Sequence, residues 1–178
     1  MNVLHGLTGS VATSLYPKIN ETYNTIRRES KKYLYHLYVS TKNSKSFADL
    51  SGANMRTDVD EWEYYRQYKS VLHINLVKWA DVFVIAPLSA NTLAKIANGI
   101  CDNLLTCVAR AWDFQKPFIV APAMNTKMWT HPITEEHVKK LRSWGITVLE
   151  PIEKTLYCGD TGIGAMANID DIIRAIKI

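Results

Sequence analysis

Residues 81–99 read Asp81-Val-Phe-Val-Ile-Ala-Pro87-Leu-Ser89-Ala-Asn91-Thr92-Leu-Ala-Lys-Ile-Ala-Asn98-Gly99. Val82 to Ala86 is an unbroken apolar run rich in β-branched residues. It is too short for a helix core and suits a strand buried on both faces, as in a parallel sheet. Pro87 has no N–H to give to a ladder. Ser89, Asn91 and Thr92 then make a polar turn, and a helix follows with Leu93, Ile96 and Ala97 on one side and Gly99 at its end. In open α/β sheets, ligands sit at such carboxyl ends of strands, where free N–H groups and small polar side chains collect. The same residues also read simply as a well-capped helix.

The pattern repeats on either side. Val3 to Leu7 is an opening strand, and it runs into Thr8-Gly9-Ser10-Val11. There Gly9 permits a tight turn and Ser10 can cap a helix, which together make an anion site. Residues 11–30 read as an amphipathic helix with Leu15, Ile19, Tyr23 and Ile26 on one face, and Pro17 marks a kink or a late start. Tyr33 to Val39 is a second strand, ending in Ser40-Thr41-Lys42-Asn43-Ser44. Phe47 opens a short helix, and residues 50–70 are the least regular part, with Trp62, Tyr64, Tyr65 and Tyr68 fitting either core or a partner surface.

His73 stands in an apolar setting ahead of the central strand, readable as a structural histidine or as a general base. Asn103 to Trp112 is a helix, near which Cys101 and Cys107 read as small buried hydrophobes. Pro117 to Pro122 is another buried strand and delivers Ala123-Met124-Asn125-Thr126-Lys127-Met128-Trp129. A helix over Thr134–Trp144 and a short last strand over Ile146–Leu149 follow. Leu156 to Met166 holds three glycines around Cys158 and reads as a flexible loop, with no regular strand or helix. Asp170 to Ile178 closes the chain as a helix.

The chain has 178 residues, enough for one domain over 1–178 with a sizeable core. Its net charge of +4 suits a small anionic ligand and is too weak to argue for nucleic acid. No stretch approaches the roughly 20 apolar residues of a membrane span, and no signal peptide is visible, so a cytoplasmic location is expected. Three cysteines without a CxxC pair argue against a disulfide framework and against structural zinc, so no metal is expected.

Three motifs, taken together, carry a resemblance. Pro87-Leu-Ser89-Ala-Asn91-Thr92, then Pro122-Ala-Met124-Asn125-Thr-Lys-Met128-Trp129, then Cys158-Gly159-Asp160-x-Gly162-x-Gly164-Ala165-Met166 resemble the homo-oligomeric flavin-containing cysteine decarboxylases. His73 in Val-Leu-His-Ile is similar to that family's active-site histidine. The resemblance implies an α/β flavoprotein, three-layered and Rossmann-like or flavodoxin-like, with a parallel central sheet. It also implies a homotrimer with FMN at subunit boundaries. Carried over by position, Gly9, Ser10, Val11, Thr41, Lys42, Asn43, Phe47, Ser89, Ala90, Asn91, Thr92 and Ala123 are expected around the cofactor. Asn125, Met128, Tyr157 and Met166 are expected at the substrate, and His73 and Cys158 in catalysis.

The implied activity is decarboxylation of phosphopantothenoylcysteine to phosphopantetheine in coenzyme A biosynthesis. Loss of CO2 from a cysteine carboxylate leaves its electrons without a sink. Oxidation of the thiol carbon to a thioaldehyde supplies one, and a flavin can take the hydride and return it. An ordinary thiol is protonated at neutral pH, so Cys158 can finish the reaction as an acid. Two other readings are a catalytically silent or moonlighting flavoprotein regulatory subunit, of the phosphatase-inhibitor type, and a flavin prenyltransferase.

Overall fold

The computed structural model describes residues 1–29, 33–155 and 161–177. Among these, six strands form one parallel sheet: β1 (Asn2–Leu7), β2 (Tyr35–Ser40), β3 (Met55–Arg56), β4 (Val82–Leu88), β5 (Phe118–Pro122) and β6 (Thr147–Val148). Their order across the sheet is β3-β2-β1-β4-β5-β6. The chain therefore begins at the centre, works outward to β3, and returns to the other side of β1. That reversal opens a crevice between the carboxyl ends of β1 and β4.

Every residue of β4 is buried, as its unbroken apolar run predicts. β4 pairs with β1 through Gly6 and Ile85, and with β5 through Ile85 and Val120. Helices α1 (Tyr16–Glu29), α2 (Asp58–Tyr68), α3 (Leu72–Trp79), α4 (Ala90–Ala97), α5 (Leu104–Arg110), α6 (Thr126–Trp129), α7 (Pro132–Ser143) and α8 (Ile169–Ile176) surround the sheet. On one face, Ile19 and Tyr23 of α1 and Ile172 and Ile176 of α8 pack with Val3, Val84 and Ala121. On the other, Leu76, Leu93, Leu105 and Leu141 of α3, α4, α5 and α7 pack with Leu4, Phe83, Ile85 and Val120. Both faces are covered, which is why the central strands read as continuous apolar runs.

The structure departs from the sequence reading in five places. Phe47 closes a 3-10 turn over Lys42–Ser46 and opens no helix. Residues Val11–Leu15 form a 3-10 turn, and α1 starts at Tyr16 with Pro17 in its first turn, where its missing N–H costs nothing. Leu15 is consequently exposed. The stretch expected to be irregular contains α2, started by a capping box in which Thr57 N–H donates to Asp60 Oδ2 at 2.6 Å. That helix buries no residue fully, so its apolar positions make no stripe; Trp62 is 70% exposed and Tyr68 58%. Cys101 is exposed and Cys107 only half-buried, because Cys101 precedes α5 and Cys107 sits on its outer side. Finally, the chain does not end its strands at β6. A hairpin of β7 (Ile152–Thr155) and β8 (Thr161–Ala165) follows, with Gly162 and Gly164 inside β8. Those glycines were expected to exclude a strand. They are tolerated because the hairpin presses against the loop ahead of α6: a Cβ on Gly164 would lie 2.3 Å from the Met124 carbonyl oxygen.

Candidate functional site

A cleft of about 850 Å³ runs along the carboxyl ends of the central strands. The turn after β1 contributes Gly9, Ser10 and Val11, and the turn after β4 contributes Ser89, Ala90 and Asn91. The segment after β5 contributes Ala123, Met124, Asn125 and Met128, and the chain after β8 contributes Met166. The volume lies in the upper range of small-molecule sites, about 300–1,000 Å³.

Local chemistry fixes each of these positions. Ser89 is the N-cap of α4, its Oγ accepting the Thr92 N–H at 3.3 Å. Ser10 donates its Oγ–H to the Ala123 carbonyl at 3.2 Å, tying the first turn to the third. Asn125 caps α6, its Oδ1 accepting the Lys127 N–H at 2.8 Å. The hairpin is fastened above by Met124 N–H donating to the Gly164 carbonyl at 2.9 Å. Gly9 is a glycine for a local reason, since a Cβ there would stand 2.7 Å from the Asn43 Cβ.

Of the expected site residues, Gly9, Ser10, Val11, Phe47, Ser89, Ala90, Asn91, Ala123, Asn125, Met128 and Met166 line this one cleft. Thr41, Lys42, Asn43 and Thr92 do not line it. Thr41 N–H donates to the Leu7 carbonyl at 3.0 Å and Asn43 abuts Gly9, so both support the wall from behind. Thr92 is buried beneath its cap. Tyr157 and Cys158 lie outside the described residues; their segment joins β7 to β8.

His73 is not among the residues lining the cleft. It sits on α3, with its Nδ1 2.7 Å from Glu61 Oε1 of α2. The sequence reading missed Lys18, Lys154 and Arg174, three cations of the cleft, and the carboxylates of Asp170 and Asp171 beside them, Arg174 being paired with Asp171. Lys18 stands in the first turn of α1, just beyond the Val11–Leu15 turn, and no local pattern marks it as a cleft residue.

A parallel doubly wound sheet with hydroxyl-rich turns at its switch point defines an α/β protein built to hold a phosphorylated cofactor. The chain belongs to the Flavoprotein family, which matches residues 1–177. It is similar to a mouse phosphopantothenoylcysteine decarboxylase, 43% identical over 178 residues and covering 98% of this chain and 85% of that protein. Among solved structures it resembles a PPC decarboxylase cysteine-to-serine mutant complexed with pantothenoylaminoethenethiol. That match has a TM-score of 0.91 and 45% identity, over 99% of this chain and 96% of that one. It also resembles the FMN binding protein AtHal3, with a TM-score of 0.87 and 46% identity, covering 99% of this chain and 94% of that one.

Proposed function

We propose that the chain is an FMN-dependent decarboxylase that converts phosphopantothenoylcysteine to phosphopantetheine on the route to coenzyme A. The observation that carries this reading is the convergence of two motifs. Ser10, Ser89 and Asn91, suited to a phosphate and a polyol, share one cleft with Asn125, Met128 and Met166, suited to a small acyl-cysteine. The residues present fit FMN: the cleft is large enough, hydroxyl donors and helix N-termini supply an anion site, and Lys18 adds a cation.

Bound FMN supplies reversible hydride transfer with the thiol-bearing carbon of the substrate. Asn125 donates its amide N–H to the substrate carboxylate and holds it until CO2 departs. Met128 and Met166 pack on the acyl chain, as does Tyr157. His73 assists the first stage, taking the thiol proton or orienting the substrate. Once CO2 has left, Cys158 gives its proton to the enethiol carbon, and the product is an aminoethanethiol.

His73 stands on α3, away from the cleft of its own chain, which fits an assembly whose sites are shared between copies. The exposed Val59, Trp62, Tyr65 and Tyr68 of α2, next to the Glu61–His73 pair, supply an apolar surface for that contact. A homotrimer with FMN at subunit boundaries satisfies both observations. Among the described residues no helix is long and apolar enough to cross a membrane. The free Cys101 and Cys107 suit a reducing compartment, and we assign the cytoplasm.

The test is CO2 release from phosphopantothenoylcysteine, recorded together with the absorption spectrum. Wild type is expected to be yellow and to release CO2. Cys158→Ser is expected to release CO2 and accumulate the enethiol, and His73→Asn to release none. A yellow protein that releases no CO2 from this substrate favours the regulatory reading instead.

A further inference from the structure

We propose that His5 and Thr8, two buried side chains of β1 and its turn, are positioning residues that set the two phosphate-binding turns against each other and so fix the preference for a phosphorylated flavin. This rests on the assignment of the Ser10 and Ser89 turns to the cofactor phosphate.

The starting point is a break in the ladder. β1 pairs with β4 only as far as Gly6 and Ile85. The β4–β5 register slips between Ile85 and Leu88. The backbone of Ala86 and Pro87 is thus buried without regular ladder partners, which buried polar groups rarely tolerate. Two side chains fill the gap. His5 Nε2–H donates to the Ala86 carbonyl at 2.7 Å. Thr8 Oγ1–H donates to the Pro87 carbonyl at 2.8 Å, and the same oxygen accepts the Ser89 N–H at 2.8 Å.

Both side chains are fully buried and fully engaged. A carbonyl can only accept, so Nε2 of His5 carries the proton and Nδ1 accepts the Tyr23 hydroxyl at 3.0 Å. Burial holds this ring neutral, with its pKa lowered to about 4. Tyr23 belongs to α1, so His5 braces the Ala86 bulge against the helix that follows the first turn. Thr8 does the same at closer range. Its own carbonyl accepts the Ser10 N–H at 2.9 Å and the Thr13 hydroxyl at 2.6 Å. One residue therefore bonds to Ser10 on one side and Ser89 on the other. The separation of the two hydroxyl-bearing turns is set by side chains that themselves lie outside the cleft lining. Hydrogen bonds to a phosphate depend steeply on donor placement, whereas stacking of a tricyclic ring does not.

The experiment uses the full chain, stripped of flavin and titrated with FMN and with riboflavin, with the melting temperature of each variant recorded alongside. Thr8→Val is expected to weaken FMN at least tenfold and riboflavin less than threefold. Thr8→Ser, which keeps the hydroxyl, is expected to restore FMN to within threefold of wild type. His5→Leu is expected to shift the FMN-to-riboflavin ratio in the same direction, and it carries the test if Thr8→Val does not fold. The proposal is overturned if both ligands weaken equally, if neither weakens, or if Thr8→Ser behaves as Thr8→Val does. Ser89→Ala separates the two levels. If it leaves the ratio unchanged, the assignment of the turn has failed and the clamp with it. If it lowers the ratio while Thr8→Val and His5→Leu do not, the clamp alone has failed.

Discussion

Nδ1 of His73 lies 2.7 Å from Glu61 Oε1, and the second carboxylate oxygen of Glu61 accepts the His73 backbone N–H at 3.1 Å. One carboxylate thus holds both the ring and the first turn of the helix that carries it. A carboxylate partner makes Nδ1 a donor, so Nε2 is the nitrogen that the role proposed for His73 would use.

Glu61→Gln is expected to lower CO2 release by about 10- to 100-fold, the range found when a metal-bound histidine loses its orienting partner. The flavin spectrum is expected to stay unchanged, because Glu61 is occupied by His73 and its loss leaves the Ser10 and Ser89 turns intact. Steady-state CO2 release checks this, and a rate equal to wild type would remove Glu61 from the mechanism.

If His73 serves the site of a neighbouring copy, two inactive chains can rescue each other. Equal amounts of His73→Asn and Cys158→Ser chains, unfolded together and reassembled, are expected to regain about one quarter of wild-type product formation, since random mixing puts both intact residues at that share of sites. Each variant alone is expected to form no product. Absence of rescue in a properly reassembled mixture places both residues in the same chain's site.

Gly164 has a φ of +144°, and any Cβ there meets the Met124 carbonyl oxygen at 2.3 Å. Gly164→Ala is expected to cost about 1–3 kcal/mol through backbone strain and to lift the β7–β8 hairpin from the Asn125 loop. Thermal unfolding measures the first effect, and a fall in kcat/KM measures the second. A variant as stable and as active as wild type would show that the hairpin needs no such contact.

His5 links stability to pH. Its pKa is lowered from 6.5 to about 4 in the fold, chiefly by burial, with His36 facing it as a further unfavourable charge and Tyr23 and Tyr38 as its ring neighbours. Between those values the unfolded chain binds more protons than the folded one. Stability from this group is therefore complete above about pH 6.5 and falls as pH drops toward 4, by roughly 3 kcal/mol. His36, also lowered by burial, acts in the same direction. Comparing wild type with His5→Leu in denaturant titrations at pH 7 and pH 4 isolates the His5 share. An equal acid loss in both would assign it elsewhere.

The strand-end turns of the cleft were legible before any coordinates, whereas the wall from β7 and from the start of α8 was not. The apolar run of β4, the capping serine at position 89 and Gly99 are local signals, and they produced the strand, the turn and the helix as expected. Strand ends of one parallel sheet necessarily share an edge, so Ser10, Ser89 and Asn125 had to converge. Helix α2 was missed because Val59, Trp62, Tyr65 and Tyr68 face outward, only Tyr64 among its large apolar residues packs on the core, and its capping box is the one local mark. The Cys101 and Cys107 reading failed because side-chain type alone says neither that Cys101 falls in the exposed loop before α5 nor which face of α5 meets the core.

Local sequence specified the element types around the site and the residue chemistry each strand end presents, because caps, breakers and apolar runs act within a few residues. It took the folded chain to show that Glu61 grips His73 away from the cleft lining, that β8 needs glycines against Met124 and Thr126, and that His5 and Thr8 hold the slipped end of β4. Those relations join residues far apart in the chain, and no local pattern encodes which distant backbone group a buried side chain will satisfy.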